Sequence, residues 1–220
     1  MALILNIETA TRNCSVALSL NGEITAVREI AADSYLHAEK LHIFIGECIE
    51  EAGCSLNDLH AIAVSKGPGS YTGLRIGVSA AKGLCYALNI PLIAIDTMEV
   101  LARNCNAVEG ECILPLIDAR RMEAYTAVFS SDYSKLRETK AEIITPESFI
   151  ELEGKLHLIG DGAAKCKEIL NDDKFVYHDN ILFPSAKQMC SVANDKYKKS
   201  DIVDVAYFEP FYLKDFIVNK

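Results

Sequence analysis

The sequence predicts an α/β protein built from two similar lobes, and three observations support this. Short apolar runs of strand length alternate with amphipathic segments of helical period along the chain. The 220 residues can form one large domain or two lobes of about a hundred residues each. A strand, turn and strand pattern at the start of the chain returns near residue 112, which predicts an internal duplication with lobes at residues 1–107 and 108–220.

The first lobe opens with three predicted strands. Residues 2–7 are apolar, whereas residues 14–20 and 24–28 alternate between apolar and polar side chains. Asn21 and Gly22 separate the alternating runs, and Asn-Gly at such a position is the strongest short signal for a β-hairpin. The pattern therefore predicts a three-stranded meander whose first turn is polar.

Two helices and two further strands complete this lobe. Apolar residues recur at helical spacing over about 36–52, and Gly53 ends that pattern. A buried strand at 61–65 precedes a second helix over about 72–88. We predict that a strand at 91–95 and a short helix near 97–104 follow.

The second lobe repeats the opening. Residues 112–117 are apolar, a polar turn follows, and residues 123–129 alternate again. We expect a helix after Pro146, a strand at 156–159 and a helix over about 186–198.

The charge and the cysteines exclude several classes of protein. A net charge of −9 argues against autonomous binding to nucleic acid, because such affinity depends on Lys and Arg neutralising phosphates. The eight cysteines are scattered singly, which predicts buried thiols rather than disulfides or a zinc site. No signal peptide and no apolar stretch of about 20 residues is found, so we expect a cytoplasmic protein that does not enter a membrane.

A glycine-rich loop is the most distinctive stretch of the sequence. Such a loop at the start of a helix can bind anions through backbone N–H groups, or it can be a strand-to-helix turn whose glycines accept unusual backbone angles. The phosphate-binding pattern Gly-x-x-x-x-Gly-Lys is absent. The loop residues of interest are Gly67, Pro68, Gly69, Ser70, Tyr71, Thr72 and Arg75.

Small residues lie along one side of the helix after this loop. They permit close approach of another element, which is either the protein's own sheet or a helix of a second subunit. The amphipathic helix at 36–52 is a candidate for the same surface. We predict an association interface formed by Leu41, Ile45, Gly73, Leu74, Gly77, Ala80, Ala81 and Leu84.

Polar turns follow the first strand of each half. Ordinary turn chemistry explains them, but in an ATPase of the actin type such turns face the nucleotide phosphates. We therefore consider them the remains of a nucleotide cleft. Their residues are Glu8, Thr9, Thr11, Asp118 and Arg120. By the same logic, Gly160, Asp161 and Gly162, after the strand at 156–159, would form a further nucleotide turn of the second half.

The sequence predicts neither a metal site nor a catalytic residue. His37 and His42 are five residues apart, which places them about 140° apart around a helix, and the other histidines are isolated in the sequence. No Gly-x-Ser-x-Gly nucleophile motif is present.

Five segments of the sequence carry recognisable motifs: residues 7–9, 66–77, 96–99, 118–121 and 209–213. The most specific of them is Gly-Pro-Gly-Ser-Tyr-Thr-Gly-Leu-Arg-Ile-Gly at 67–77. Through these motifs the chain resembles the bacterial TsaB family, formerly called YeaZ or the glycoprotease-like M22 family. The resemblance covers essentially the whole chain.

The resemblance implies a two-lobed actin/hexokinase/chaperone-ATPase-like fold of the ribonuclease H type. It also implies a role in forming N6-threonylcarbamoyladenosine in tRNAs that read codons starting with A. The paralogue TsaD performs the transfer, and Thr97 and Leu101 stand where TsaD has its two metal histidines. The expected role is thus a non-catalytic subunit that binds TsaD and, through it, the ATPase TsaE.

The resemblance also suggests how ligands and partners bind. We expect tRNA to be contacted only indirectly, nucleotide (ADP or ATP) to bind only at the interface of the complex, and the isolated chain to form a homodimer. Two alternatives of the same fold stay open. One is an M22-like peptidase, as the older family names suggest; the other is a small-molecule kinase, which would need an aspartate in the phosphate turn where this chain has Glu8.

Overall fold

The computed structural model describes residues 1–32 and 36–214, which form helices and two mixed β-sheets. The strands of the first sheet are β1 (Leu3–Glu8), β2 (Asn13–Leu20), β3 (Glu23–Ala31), β4 (Ala61–Ser65) and β5 (Leu92–Ile95). Those of the second are β6 (Cys112–Asp118), β7 (Glu123–Ser130), β8 (Lys135–Ile143), β9 (Leu156–Ile159) and β10 (Phe175–Tyr177). The helices are α1 (His37–Glu51), α2 (Tyr71–Leu88), α3 (Thr97–Ala102) and α4 (Ala186–Lys198).

The two sheets have the same topology. The first has the order β3-β2-β1-β4-β5 and the second has the order β8-β7-β6-β9-β10. In the first sheet the central strand β1 pairs antiparallel with β2 and parallel with β4. In the second sheet the central strand β6 pairs antiparallel with β7 and parallel with β9. The predicted internal duplication is therefore confirmed, with β1 and β6 as equivalent strands.

The chain divides into two compact units that differ from the predicted lobes. Among the described residues, one unit comes from Met1–Val100 and Pro184–Tyr212, and the other comes from Leu101–Phe183 with Leu213 and Lys214. The expectation that one lobe occupies 108–220 is wrong for residues 184–212. These residues return to the first unit because the apolar face of α4 has its packing partner there.

Helices cover both faces of the first sheet. Successive strand residues point to opposite faces, so Leu5 and Ile7 pack with α1 and α2, whereas Ile4 packs with α4. Met189 and Ala193 are the α4 residues that bury this second face. Because both faces are covered, β4 is buried over its whole length.

One cluster of apolar side chains forms the core of the second unit. Leu114, Leu116, Leu156 and Leu158 come from β6 and β9 and point to the same face of the second sheet. Phe149, from a turn after β8, closes this core.

The sequence-based prediction of secondary structure differs from the structure in the second unit. The prediction of a helix after Pro146 is wrong, because residues 146–151 form turns. Strands β8 and β10 were not predicted, since β8 carries many charged side chains and β10 has three residues. Among the helices of residues 1–32 and 36–214, none has the length and apolar character needed to cross a bilayer.

Candidate functional site

The start of α2 lies directly on the turn that follows β1. A Cβ atom added at Gly69 would lie 2.3 Å from the Ala10 carbonyl oxygen, and one at Gly73 would lie 2.1 Å from the Thr9 carbonyl oxygen. A Cβ at Gly77 would lie 2.2 Å from Thr9 Oγ1. Only glycine fits at these three positions, so the glycines of the loop serve close packing within the first unit.

This packing corrects the predicted association interface. Six of its eight residues are buried in the first unit and are not accessible to a second subunit; they are Leu41, Ile45, Gly73, Leu74, Gly77 and Ala81. The other two, Ala80 and Leu84, are half-buried and pack against the same core. The small residues thus face the protein's own turn and sheet, which was the alternative considered for this helix.

Hydrogen bonds hold the glycine-rich loop in place. The Ser70 amide donates to the Ala10 carbonyl (2.7 Å), and Ser70 Oγ caps α2 by accepting from the Gly73 amide (3.3 Å). The Gly67 amide donates to Thr97 Oγ1 (3.1 Å), and the Thr97 amide donates to the Gly67 carbonyl (3.1 Å). Pro68 is buried beside them. These bonds support the interpretation of the loop as a structural turn.

The end of the described chain covers one side of the loop and of α2 through residues 206–212, which we call the tail. The Phe211 amide donates to the Lys66 carbonyl (2.6 Å), and the Tyr212 ring lies 5.1 Å from that of Tyr71. The Arg75 guanidinium lies 4.1 Å from the centre of the Tyr71 ring, a cation–π contact, and donates to Tyr212 Oη (3.4 Å). Tyr71 and Arg75 are therefore engaged with the tail, while Thr72 is exposed.

Glu8 ends β1 as a fully buried carboxylate. It accepts hydrogen bonds from Ser65 Oγ and from the Ala10 amide (2.6 Å). Burial raises its pKa from the usual 4.5 to about 7, although these two hydrogen bonds partly offset the effect. Glu8 thus ties the ends of β1 and β4 together inside the first unit.

The next turn residues also make internal bonds. Thr9 Oγ1 donates to the Gly73 carbonyl (2.8 Å), and the Thr11 carbonyl is 2.8 Å from His37 Nε2. His37 is buried, and its desolvation lowers its pKa, which keeps the ring neutral at pH 7. The polar groups of this turn therefore hold α1 and α2 on the first sheet.

The equivalent turns of the second unit lie beside each other. Asp118 accepts from Lys165 Nζ, and the Asp118 amide donates to Asp161 Oδ1 (2.9 Å). A Cβ at Gly160 would lie 2.1 Å from the Leu116 carbonyl oxygen, and the Gly162 amide donates to that oxygen (3.0 Å). Arg120 is exposed with a positive φ of 73°.

The structure brings together a group of residues that the sequence did not connect. His157 Nδ1 lies 2.8 Å from His178 Nε2, and its Nε2 lies 2.8 Å from Glu111 Oε2. Cys105 Sγ lies within 4.8 Å of a ligand atom of each histidine. His157 and His178, which are isolated in the sequence, are thus neighbours in the structure, together with one of the singly scattered cysteines. Their separation along the chain leaves no local signal, and only the pairing of β9 with β6 and β10 brings them close.

Electrostatics favours a neutral imidazole at His178 and an ionised carboxylate at Glu111. Burial, with a smaller contribution from His157, lowers the pKa of His178. The hydrogen bond from His157, and next the bond from the Val108 amide, lowers the pKa of Glu111. Glu111 is therefore an ionised acceptor at neutral pH.

Comparisons with known proteins show a family to which nearly the whole chain is similar. Residues 28–217 match the family model described as TsaD: tRNA N6-adenosine threonylcarbamoyltransferase. The tRNA threonylcarbamoyladenosine biosynthesis protein TsaB of Escherichia coli (strain K12) is 31% identical over 225 residues, which cover 99% of this chain and 96% of that protein.

Solved structures similar to this chain show its fold. YeaZ from Pseudomonas aeruginosa has 26% identity and a TM-score of 0.81, covering 97% of this chain and 100% of that one. The activator of the 2-hydroxyisocaproyl-CoA dehydratase from Clostridium difficile has 10% identity and a TM-score of 0.50, covering 91% of this chain and 96% of that one; it shows the fold alone. The predicted actin/hexokinase/chaperone-ATPase-like fold class is confirmed.

The close approach of α2 to the turn after β1 gives a first prediction. Gly77→Ala should lower the free energy of unfolding by about 2 kcal/mol or more, because its methyl group would overlap Thr9 Oγ1. Gly83→Ala is the matched control: its Cβ would have no atom within 4 Å, so the better helix propensity of alanine should leave stability unchanged or raise it by up to about 1 kcal/mol. Urea unfolding measures both, and equal stability of the two variants would contradict the packing.

The buried Glu8 gives a second prediction. Its folded-state pKa of about 7 exceeds the ordinary 4.5, so the folded chain keeps a proton that the unfolded chain releases between these pH values. The wild type should therefore lose on the order of 3 kcal/mol relative to Glu8→Gln as the pH rises through this window, since glutamine stays neutral. Urea unfolding of both proteins at a series of pH values tests this, and parallel stability curves would refute it.

Proposed function

Because this chain belongs to the TsaB family of tRNA threonylcarbamoyladenosine biosynthesis proteins, we propose that it is the non-catalytic partner subunit of the transferase TsaD. The near full-length match to the Escherichia coli protein is the observation that carries this proposal. The complex would modify tRNAs that read codons starting with A, in the cytoplasm. TsaE would join it through TsaD.

The polar side chains of the turns are engaged in hydrogen bonds within the protein, which supports a non-catalytic role. In the first unit, Glu8 is fully buried and bonded to Ser65 and Ala10. Thr97 is buried and bonded to Gly67, which suits a structural residue better than a metal ligand. The transfer chemistry and its metal would therefore belong to TsaD. We expect nucleotide to bind only in the assembled complex.

The partner would dock on the exposed side of α2. This side is bounded by the tail, which engages Arg75 and Lys82, and by the buried glycine side. Between them lie small or moderately sized residues that would allow another helix to approach closely; they are Thr72, Ile76, Ser79 and Gly83. Tyr86, 85% exposed, continues the same stripe and offers an aromatic anchor.

Helix α1 would contribute a second strip to this surface. Its buried side contains Leu41 and Ile45, so its opposite side faces solvent. Ile43 lies on that exposed side and is 51% exposed, so its apolar side chain would be available to a partner. The same pair of helices would allow the isolated chain to form a homodimer.

A substitution at Gly83 tests this surface. Gly83→Arg should fold normally, because there is open space at this Cβ and arginine favours a helix more than glycine does. In the complex, however, the long charged side chain would block close helix contact, and we expect at least about tenfold weaker binding to TsaD, measured by calorimetry. Gly83→Ala is the control and should bind like the wild type.

A complementation experiment distinguishes failure of the proposed interface from failure of the proposed function. In Escherichia coli depleted of its own TsaB, the wild-type chain and Gly83→Ala should restore threonylcarbamoyladenosine in bulk tRNA, measured by mass spectrometry, and Gly83→Arg should not. If the wild type restores it and Gly83→Arg does so equally, the interface lies elsewhere. If the wild type does not restore it although it binds TsaD, the proposed function fails.

The acidic charge gives a prediction about tRNA. With a net charge of −9 the isolated chain offers few phosphate contacts, so we expect a dissociation constant for tRNA weaker than about 1 μM at physiological salt. Filter binding with the chain alone and with TsaD added measures this. Tight binding by the isolated chain would contradict the indirect role.

A further inference from the structure

Four potential metal-binding side chains of the second unit meet on one face of its sheet. His157 lies on β9 opposite Ile113 of β6 and Val176 of β10. Because side chains two residues apart share a face, Glu111 and His178 point to the same side as His157. The opposite face of this sheet holds the apolar core, including Leu156 and Leu158. The cluster is therefore separate from the core and from the turn containing Glu8.

Cys105 completes this group from the segment after α3. It is buried, and its Sγ, one nitrogen of His157 and one nitrogen of His178 all lie within 4.8 Å of one another. The His157 side chain is 12% exposed, and that of His178 is half-buried. Three donors of this kind at this distance can surround one ion, because tetrahedral zinc with bonds of about 2.0–2.3 Å separates its ligand atoms by roughly 3.3–3.7 Å.

Glu111 has the geometry of an orienting carboxylate. Its Oε2 accepts from His157 Nε2–H at 2.8 Å, which leaves the lone pair of His157 on Nδ1, the nitrogen that faces His178. Metal-binding histidines characteristically donate their second nitrogen to a carboxylate in this way. The hydrogen bond thus prepares His157 to be a ligand.

We propose that Cys105 Sγ, His157 Nδ1 and His178 Nε2 bind one zinc ion, with Glu111 as the positioning residue of His157. A thiolate with two imidazoles favours zinc over the hard cations magnesium and calcium. A water molecule would take the fourth position. Binding releases the thiol proton of Cys105 to solvent and moves the ring proton of His178 from Nε2 to Nδ1, which leaves a lone pair on each ligand nitrogen. The hydrogen bond between the two histidines is lost, and their nitrogens move apart by about half an ångström.

The site would stabilise the second unit. The ligands come from three segments: the stretch after α3, strand β9, and the end of the short edge strand β10. Strand β10 has three residues and pairs only with β9 among the described strands, so it has few other constraints. An ion bonded to His178 would fix its end to the rest of the unit.

Titration with cobalt(II) tests the proposal. The full chain is first freed of other metals, and its thiols are kept reduced. We expect one equivalent to bind with a thiolate-to-cobalt charge-transfer band and the intense visible bands of tetrahedral cobalt. Zinc should displace the cobalt, with competition measured against a chromophoric chelator. Weak visible bands without charge transfer, or binding of much less than one equivalent, would overturn it.

Variants distinguish this site from other thiols and histidines. Cys105→Ser should abolish the charge-transfer band, whereas Cys112→Ser, a half-buried thiol on the same sheet but outside the cluster, should leave it unchanged. His178→Gln should weaken zinc binding at least about tenfold, and Glu111→Gln should weaken it about 10–100-fold. Circular dichroism checks that each variant is folded; if folded Cys105→Ser binds cobalt like the wild type, the assignment is wrong.

Discussion

The close contact between the start of α2 and the turn after β1 is the constraint on which the first unit depends. Gly69 of the loop and Gly73 of the helix allow close approach to the backbone carbonyls of Ala10 and Thr9, and Gly77 allows close approach to the Thr9 hydroxyl. The same contact positions the glycine-rich loop, and the tail then packs over the outer side of that loop through Phe211 and Tyr212. A larger residue at Gly69 or Gly73 would overlap these backbone carbonyls and push the start of α2 away from the turn.

The buried carboxylate of Glu8 belongs to the same arrangement. It sits where the ends of β1 and β4 converge, and its partners are a serine and a backbone amide rather than a cation. A buried acid of this type costs stability when it is ionised, so the hydrogen bonds are needed to offset part of its desolvation. The equivalent position of the second unit, Asp118, is half-exposed and paired with Lys165. Duplicated turns have therefore acquired different polar environments.

Local sequence patterns predicted much of the fold. Strands β4 and β9 and helix α4 have the predicted bounds, since periodicity and flanking turn residues are local properties. The side of α2 that faces inward was not predictable in this way, because Gly73 and Gly77 suit a close contact with any backbone. The cluster of His157, His178 and Cys105 was also missed, since strand pairing and not spacing brings it together. Glu8 was identified as a turn residue, but its burial depends on elements far along the chain.

The return of residues 184–212 to the first unit affects how the protein is made on the ribosome. The sheet of the second unit is complete once Tyr177 has been synthesised, so its strands can pair while the rest of the chain is still in the exit tunnel. The first sheet, although synthesised earlier, exposes the apolar face around Ile4 and Ile93 until α4 emerges. The unit whose sheet is synthesised first is thus completed last, because the segment that covers this apolar face is made after the whole second sheet.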